Sequence, residues 1–308
     1  MNGDRGSGNG DRSATMSIAD AETLLADRNV IAVGVRGDDE RRRRHGVKTT
    51  FVRVFQIHAE AIPASLPAGL SAGEIRLTGK PVSDAAAIEG VQAVRALAGG
   101  IPVTGYSVAD LVTVAGSHAA LTDLARRLRA AGLDAAAEAP IDLLPDAIET
   151  IRAVRAGGLD VPRLTVQQVT DDPLRLAALA RDVQAIAGGV RAFAPLARVT
   201  SVAQPTTGYD DVRQIAVTRL IVDNIDSIQV DWALYGPKLA QVALTMGADD
   251  VDGVSPFEGD LGRRRSPIEE IRGNITAAGL DAVERDGRFQ VRQSSQETRR
   301  TRVNNDVS

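Results

Sequence analysis

The feature that most constrains this chain is a regular alternation of short apolar runs with longer amphipathic stretches. Strands that alternate with helices in this way build a parallel sheet. Strands are predicted at residues 49–58, 74–78, 103–106, 135–139, 163–168, 190–196, 228–233 and 250–254. Helices are predicted at residues 83–97, 108–131, 146–156, 172–187, 209–223, 238–246 and 266–278, after an opening helix that Ser17 caps.

Eight such units is the number that closes a (β/α)8 barrel, so an α/β fold of this TIM type is the predicted architecture. A doubly wound open sheet is the alternative topology. The barrel is expected to form one domain over residues 16–291. The polar ends, residues 1–15 and 292–308, are expected to be disordered because they hold too few apolar side chains to bury.

Composition excludes several classes of site. The chain has no cysteine, which rules out disulfides, a thiol nucleophile, a cysteine-ligated zinc and a thiolate-ligated iron–sulfur cluster. A net charge of −4 with 3% aromatic residues argues against a nucleic-acid partner. The chain contains no run of about 18 apolar residues, so no membrane span is predicted. The expected location is the cytoplasm.

A basic run at residues 41–45 (RRRRH) follows Asp38, Asp39 and Glu40. Alternation of acidic and basic side chains at this spacing predicts a solvated turn with local charge pairing. A contact to a phosphate group or to a partner is the alternative.

The last third of the chain carries motifs of a known family. The segments are TRLIVDN at residues 218–224, GPKLAQVALTMG at 236–247, ADDVDG at 248–253 and ITAAGLDAVERDGRF at 275–289, with FAPLA at 193–197 and RRRRHG at 41–46 further upstream. These segments resemble the radical S-adenosylmethionine family of aminofutalosine synthase, dehypoxanthine futalosine cyclase and the deazaflavin-forming synthase. The resemblance implies a (β/α)8 barrel whose active site lies at the carboxyl ends of the strands.

The departures from that family concern its chemistry. The family has a C-x-x-x-C-x-x-C loop after the first strand, where this chain has FQIHAEAIPASLPAGLSAGEI and no cysteine. The three histidines, His45, His58 and His118, are too scattered to substitute. We therefore expect no iron–sulfur cluster and no binding of S-adenosylmethionine. Asp249 stands where the family usually has Asn. A carboxylate can only accept a hydrogen bond where an amide can also donate one, so a hydrogen bond from this position to a substrate would be lost.

Polar residues at the predicted strand ends are the candidates for a site. The catalytic candidates are His58, Glu60, Glu138, Asp250 and Asp252. The ligand-binding candidates are Tyr106, Gln168, Arg198, Trp232, Asp250 and Asp252. Each also has a structural interpretation, as a rim histidine, an internal ion pair, an aromatic packing group or a loop cap. Asp250 and Asp252 are expected to lie exposed at the mouth of the barrel, with Glu138 and His58 across the opening.

Strands one and eight are neighbours in a closed barrel, so one histidine and three carboxylates from them would suit a divalent metal. Two functions follow as expectations. The first is a cluster-less, non-radical or non-catalytic partner in menaquinone (futalosine route) or deazaflavin biosynthesis, working with a small-molecule ligand or an active paralogue. The second is a repurposed barrel enzyme that performs acid–base or metal-assisted chemistry on a nucleoside-like or polyketide-like substrate.

Overall fold

A computed structural model describes residues 16–199, 207–257 and 268–292 of the chain. The strands are β1 (Lys48–His58), β2 (Glu74–Thr78), β3 (Val103–Ser107), β4 (Ala135–Pro140), β5 (Arg163–Val166), β6 (Ala192–Ala197), β7 (Ser227–Asp231), β8 (Asp250–Val254) and β9 (Asp281–Glu284). The helices are α1 (Ile18–Ala26), α2 (Val30–His45), α3 (Asp84–Ala98), α4 (Val108–Ala115), α5 (His118–Ala130), α6 (Ala147–Ala156), α7 (Pro173–Ile186), α8 (Gly208–Ile221), α9 (Trp232–Leu244) and α10 (Ile268–Ala277).

The first eight strands form a closed parallel barrel. Each strand from β2 to β7 pairs with the next one, and β1 pairs with both β8 and β2, which closes the ring. The predicted (β/α)8 fold is confirmed, and the open-sheet alternative is not observed. The two polar tails, residues 1–15 and 293–308, lie outside the described residues.

Apolar residues of moderate size fill the space between the barrel and its helices. Along β2, Ile75 and Leu77 are fully buried against the helical layer, whereas Glu74 and Arg76 point into the barrel. This alternation follows from the two-residue period of a strand. Strand β2 therefore presents polar side chains to the interior of the barrel and apolar side chains to the surrounding helices.

Helix α2 is the main departure from the predicted elements. Residues 41–45, predicted as a solvated turn, form its last turn, and Arg41 is fully buried. The local charge pairing is confirmed, because Arg41 and Arg42 bind Asp38 while Arg43 and Arg44 bind Glu40. The run stabilises the end of a helix instead of presenting a free cationic surface.

The pairing around Glu40 predicts a small effect of acid on stability. Hydrogen bonds from Arg43, and then from Arg44, outweigh burial and lower the pKa of Glu40 from 4.5 to about 2. A depressed pKa contributes stability above pH 4.5 that is lost as the pH falls toward 2. We expect Glu40→Gln to reduce this acid dependence by about 1 kcal/mol or less, because surface pairs contribute little. Urea unfolding at pH 3 and pH 7 measures the change in the free energy of unfolding between the two pH values, with Asp39→Asn on the same helix as the control. The same change in Glu40→Gln and in wild type would contradict the prediction.

The chain after α10 closes the amino-terminal end of the barrel. Strand β9 pairs with the first residues of β1, below the point where β2 begins to pair. Residues 281–292, called here the closing segment, then turn inward, and the Gly287 N–H donates to the Gly73 carbonyl at 3.0 Å. In the described ranges, no helix combines the length and apolar character needed to cross a membrane.

Candidate functional site

A network of buried charges crosses the middle of the barrel. Asp252 of β8 accepts hydrogen bonds from Arg76 at 2.8 and 2.9 Å and also binds Arg163 of β5. Arg76 donates a further bond to Glu74 at 2.7 Å, and Glu74 accepts one from Thr104 at 2.6 Å. All five side chains are at least nine-tenths buried, so the network links four strands in a largely desolvated part of the barrel.

The electrostatics of this network favour ionised carboxylates. Burial raises the pKa of Asp252, but Arg163 and Arg76 outweigh it and hold the pKa well below its usual value. Glu74 has the same balance, with burial opposed first by Arg76 and then by Arg163, and its pKa is also lowered. Groups held ionised in this way do not exchange protons near neutral pH. Asp252 is therefore a poor general acid or base, although it was a catalytic candidate.

A second network lies nearer the amino-terminal end of the barrel. Arg285 of the closing segment binds both oxygens of Asp250 at 2.6 and 2.7 Å, and its guanidinium stacks on Phe289 at 3.8 Å. Gln229 donates to the same carboxylate at 2.7 Å, and Thr50 contacts it as well. Asp250 is thus saturated with hydrogen bonds and fully buried.

The placement of Asp250 corrects the sequence-based prediction. Asp250 is the first residue of β8 and pairs in register with Thr50. It therefore lies toward the amino-terminal end of the barrel, away from the mouth that the carboxyl ends of the strands form. His58 is eight residues further along β1, which is about 26 Å at about 3.3 Å per residue. The expectation of an exposed Asp250 at the mouth, near His58, is wrong. Asp252 is also enclosed, one interior row above Asp250.

The mouth of the barrel contains a cavity of about 220 Å³ at the carboxyl ends of β1 to β6. Its polar lining comes from Gln56, Arg76, Thr78, Ser107, Asp110, Glu138, Arg163 and Arg198. Arg76 and Arg163 belong to the buried network below. The remaining lining groups project from the strand ends and from the first turn of α4.

An ion triad forms one wall of this cavity. Arg198, which follows β6, lies 3.2 Å from Glu138 and 3.0 Å from Asp231. Burial lowers the pKa of Arg198, but the charges of Asp231 and then Glu138 outweigh burial and raise the pKa above its usual value. The guanidinium therefore stays charged. Asp231 also caps α9 by accepting from the Leu234 N–H at 2.9 Å. Glu138 and Arg198, which were separate candidates from the sequence, therefore form an ion pair at the mouth.

Glycine at position 253 lets β8 pass this triad. Gly253 has φ +73°, and a Cβ there would lie 2.9 Å from Oδ1 of Asp231. A side chain at this position would displace the carboxylate that holds Arg198 and caps α9. Gly253→Ala is expected to destabilise the wall of the cavity, because alanine rarely adopts a positive φ and because its Cβ would collide with the Asp231 carboxylate.

Asp110 is a site residue that the sequence-based prediction missed. It lies in the first turn of α4, lines the cavity, and is 3.8 Å from the ammonium group of Lys80. Burial raises its pKa; Lys80 opposes this and Glu138 adds to it. Because Lys80 is 86% exposed, the pair gains little from water-screened attraction. Asp110 is therefore a carboxylate of this cavity that has no buried counterion among the described residues, whereas Glu138 is paired with Arg198.

The other predicted site residues are dispersed. His58 and Glu60 are exposed at the rim after β1, with the His58 ring beside Gly79. Gln168 is exposed after β5. Tyr106 lines the cavity at φ +54° but donates its hydroxyl to the Ala87 carbonyl of α3 at 3.3 Å. Burial raises the pKa of Tyr106 to about 12, so it is a packing group with a neutral hydroxyl.

Trp232 and the predicted metal cluster need correction. Trp232 is the first residue of α9, is fully buried, and is not part of the lining of the mouth cavity. Within the described ranges, no three His, Asp or Glu side chains are placed to hold one metal ion together. His58, Glu60, Asp250 and Asp252 do not assemble, because they lie at different depths along β1 and β8.

Asp249 has a structural role at the amino-terminal end of β8. Its carboxylate binds Arg219 of α8 and accepts from the Ile228 N–H at 2.9 Å. Arg219 also donates to the Gly247 carbonyl at 2.9 Å, so it ties α8 to the loop before β8. The aspartate at position 249 therefore affects the framework of the barrel and not the mouth cavity.

Comparison with known proteins agrees with this fold. Residues 192–298 match the family model described as the CofH/MqnC C-terminal region. The chain is 31% identical over 157 residues to aminodeoxyfutalosine synthase of Streptomyces coelicolor, covering 44% of this chain and 38% of that protein. It is 33% identical over 201 residues to 5-amino-6-(D-ribitylamino)uracil–L-tyrosine 4-hydroxyphenyl transferase of Haloarcula marismortui, covering 54% and 44%.

The crystal structure of methylornithine synthase shares the fold, with a TM-score of 0.59 and 12% identity over 88% of this chain and 95% of that one. The chain spans less than half the length of the curated relatives named above. Most of the family motifs lie on β6, α8, α9, β8, α10 and the closing segment, within the residues that the family model covers, whereas RRRRHG on α2 lies outside them. The C-terminal third of the chain is therefore similar to the C-terminal region of the futalosine and deazaflavin synthases, and the chain as a whole has the (β/α)8 barrel fold.

Proposed function

We propose that this chain is a cluster-less relative of the futalosine and deazaflavin synthases that works without radical chemistry. It would be a cytoplasmic, ligand-binding partner in menaquinone or deazaflavin biosynthesis, acting beside an active member of the family. The observation that carries the proposal is the β1–β2 connection, residues 59–73, which holds no cysteine in a chain that has none. In the family this connection supplies the three cluster ligands.

The donor set of the chain does not fit an iron–sulfur cluster. His45 ends α2 at the amino-terminal end of the barrel, His58 lies at the rim, and His118 contacts Thr150 on the helical layer. These rings are on separate parts of the molecule, so they cannot replace three thiolates around one cluster. We derive no step through a cluster or through S-adenosylmethionine.

The filled interior of the barrel supports a binding role for the mouth. Asp252 and its two arginines occupy the axis below the cavity, and the cavity of about 220 Å³ is smaller than the ~300–1,000 Å³ of sites for drug-sized ligands. A ligand at this mouth would be small, or would extend outward from it. Both cases suit a protein that binds a fragment of a pathway compound.

Reconstitution tests the absence of radical chemistry. After anaerobic incubation with iron and sulfide, we expect a colourless protein that forms no 5′-deoxyadenosine from S-adenosylmethionine and dithionite. The physical reason is the absence of thiolate ligands. Measured iron and 5′-deoxyadenosine provide the readouts, with an active family member as positive control. Stoichiometric iron with a broad absorbance near ~400 nm would overturn the proposal.

Loss of the gene tests the assignment to a pathway. We expect a deletion strain to contain less menaquinone or less deazaflavin cofactor, and plasmid-borne wild type to restore it. Unchanged levels of both cofactors would contradict the pathway assignment. A purified active paralogue should also be faster, or bind its substrate more tightly, when this chain is added.

One observation favours a second function, that of a repurposed acid–base enzyme on a nucleoside-like or polyketide-like substrate. Asp110, whose pKa burial and Glu138 raise, faces the same cavity as Glu138. Two carboxylates with different environments are a common arrangement for an acid and a base. The metal-assisted version of this alternative has no such support from the described residues.

A further inference from the structure

We propose that the outer side of helix α2 binds the same side of a second copy of this chain, forming an antiparallel helix-to-helix dimer. This surface consists of Ile31, Ala32 and Val35 and is called here the α2 face. It lies outside the barrel, so the inference does not rest on the proposed function. It adds an interaction surface, which the family match and the relatives do not assign.

The first half of α2 is apolar on every side. Residues 30–35 read VIAVGV, and six successive residues make more than one full turn of a helix. Val33 and Gly34 face inward and are buried, with Gly34 directly against the Met246 side chain. A surface helix normally presents polar side chains outward, whereas a helix that is apolar all round is covered on both sides. Among the described residues, only the inner side of α2 is covered.

The two large side chains of the α2 face are strongly exposed. Ile31 is 74% exposed and Val35 is 53% exposed, and a spacing of four residues makes them neighbours on the helix surface. Ala32, which is also exposed, lies beside them. Exposed apolar side chains that stand singly are ordinary, but contiguous apolar groups are characteristic of interaction surfaces.

The remaining parts of this chain are poor candidates for covering the α2 face. Residues 1–15 read MNGDRGSGNGDRSAT, in which Met1 is the only large apolar residue. One or two valine or leucine residues among polar ones are all that the other segments outside the described ranges hold, at residues 200–206, 258–267 and 293–308. The α2 face therefore requires another molecule to cover it.

Charged residues at the two ends of the α2 face favour a second copy as that molecule. Arg28 precedes the N-cap Asn29, and Asp39 lies on the third turn of the helix; both are exposed. The ion pairs within α2 use Asp38 and Glu40, and among the described residues none involves Arg28 or Asp39. One end of the face thus carries an unpaired cation and the other an unpaired anion.

An antiparallel pair matches the α2 face to itself. A two-fold axis midway between Ala32 and Val35 places Ala32 opposite Val35 of the partner subunit. Ile31 then lies within one residue of the same height, about 1.5 Å along the helix, and extends the apolar contact. The same axis places Arg28 opposite Asp39 of the partner subunit, because the two residues are equally far along the chain from it. Two-fold symmetry forms each of these contacts twice.

A parallel pair is disfavoured by charge. It would place Arg28 against the same residue of the partner subunit, and Asp39 likewise, and it would align the two helix macrodipoles. In the antiparallel pair, Arg36 lies at the edge of the contact, where its long side chain extends into water. The contact of one helix face is smaller than the ~1,200 Å² of a standard interface, so the dimer is expected to dissociate on dilution.

Sedimentation equilibrium of the purified full chain measures the association. The weight-average mass should rise from the monomer value of 32.4 kDa toward twice that value as the protein concentration increases from micromolar to millimolar. A mass that stays at the monomer value over this whole range would overturn the inference.

Substitutions of exposed side chains locate the interface. Ile31→Asp and Val35→Asp place an unpaired carboxylate in the apolar contact, so each is expected to raise the dissociation constant at least about tenfold. Val82→Asp is the matched control, because Val82 is 90% exposed and lies outside α2; it should associate as wild type. Circular dichroism verifies that each variant is folded. A dimer of unchanged affinity in both α2 variants would overturn the site.

Charge reversal tests the antiparallel register. Arg28→Asp and Asp39→Arg each bring like charges together, so each single variant is expected to weaken association about threefold or more. The double variant re-creates both ion pairs with the charges exchanged, and its dissociation constant should return to within about twofold of wild type. Losses that add in the double variant would overturn the antiparallel arrangement.

Discussion

Replacement of Asp252 by alanine is expected to lower the free energy of unfolding by about 3–5 kcal/mol, the usual loss when one partner of a buried ion pair is removed. The carboxylate is fully buried and holds both Arg76 and Arg163. Its removal leaves Arg163 with a backbone carbonyl as its acceptor and leaves Arg76 with Glu74 alone. Two guanidinium groups would then share one carboxylate inside the barrel.

Urea unfolding followed by circular dichroism measures this loss at pH 7. The matched control is Asp226→Ala, because Asp226 forms an exposed ion pair with Arg191 at 3.3 Å. That variant is expected to stay within about 1 kcal/mol of wild type. Asp252→Asn, which keeps the volume, should fall between the two. A loss below about 1 kcal/mol in Asp252→Ala would show that water enters the barrel and solvates the arginines.

The position of this network could be anticipated in part from the sequence. Residues 74, 76 and 78 read Glu, Arg and Thr within a predicted strand whose other members are apolar. The two-residue period of a strand places such residues on one face, and in a barrel with an apolar outer layer that face is the interior. Arg163 and Thr165 alternate with Leu164 and Val166 in the same way. The partner of Arg163 could not be predicted, because its pairing with Asp252 depends on a contact between residues 89 positions apart.

The strands were predicted more accurately than the helices because apolar runs mark them directly. β2 and β8 coincide with their predicted ranges. The strand predicted at 228–233 ends instead at Asp231, whose side chain caps the following helix. Trp232 therefore belongs to a helix and is buried in the core, whereas the sequence-based prediction placed it at the end of a strand.

Helix α2 was not predicted because its sequence is unfavourable for a helix. Gly34 and Gly37 lie within it, and each glycine costs about 1 kcal/mol relative to alanine. Both are explained by packing: a Cβ at Gly34 would collide with the Met246 side chain, and one at Gly37 with Ala216 and the Met246 carbonyl. Contacts between residues about 200 positions apart thus decide a local structure, and such contacts leave no short-range pattern.

The depth of a residue within the barrel was the least predictable quantity. The motif at 248–253 indicated correctly that Asp250 and Asp252 belong to the last strand of the barrel. Alternation also placed both on its inner face. The error lay in assigning them to the mouth, since the register of β8 against β1 sets their height. Asp110 was missed because it is on a helix, where a single acidic residue in the first turn is ordinarily a capping or dipole group.

The pair formed by Asp250 and Arg285 gives the second large expected effect. Asp250→Ala should lower the free energy of unfolding by about 3–5 kcal/mol, because it leaves the guanidinium of Arg285 buried without a carboxylate. Arg285 is 2% exposed and anchors the closing segment inside the barrel. Loss of this anchor should also raise hydrogen exchange in β9, which pairs with β1 at the edge of the barrel.

A double-mutant cycle separates the pair from simple loss of volume. Asp250→Leu with Arg285→Met removes both charges and keeps apolar bulk, and replacing a whole buried pair is often neutral or stabilising. We therefore expect the double variant to be more stable than Asp250→Leu alone by about 2 kcal/mol or more. The exposed pair Glu149–Arg152 on α6, 2.7 Å apart, is the control and should show a coupling of about 0.5 kcal/mol or less. Additive losses at Asp250 and Arg285 would mean that the closing segment is held by β9 and the Gly287–Gly73 hydrogen bond, and that the carboxylate is stabilised by Gln229 and Thr50 without the arginine.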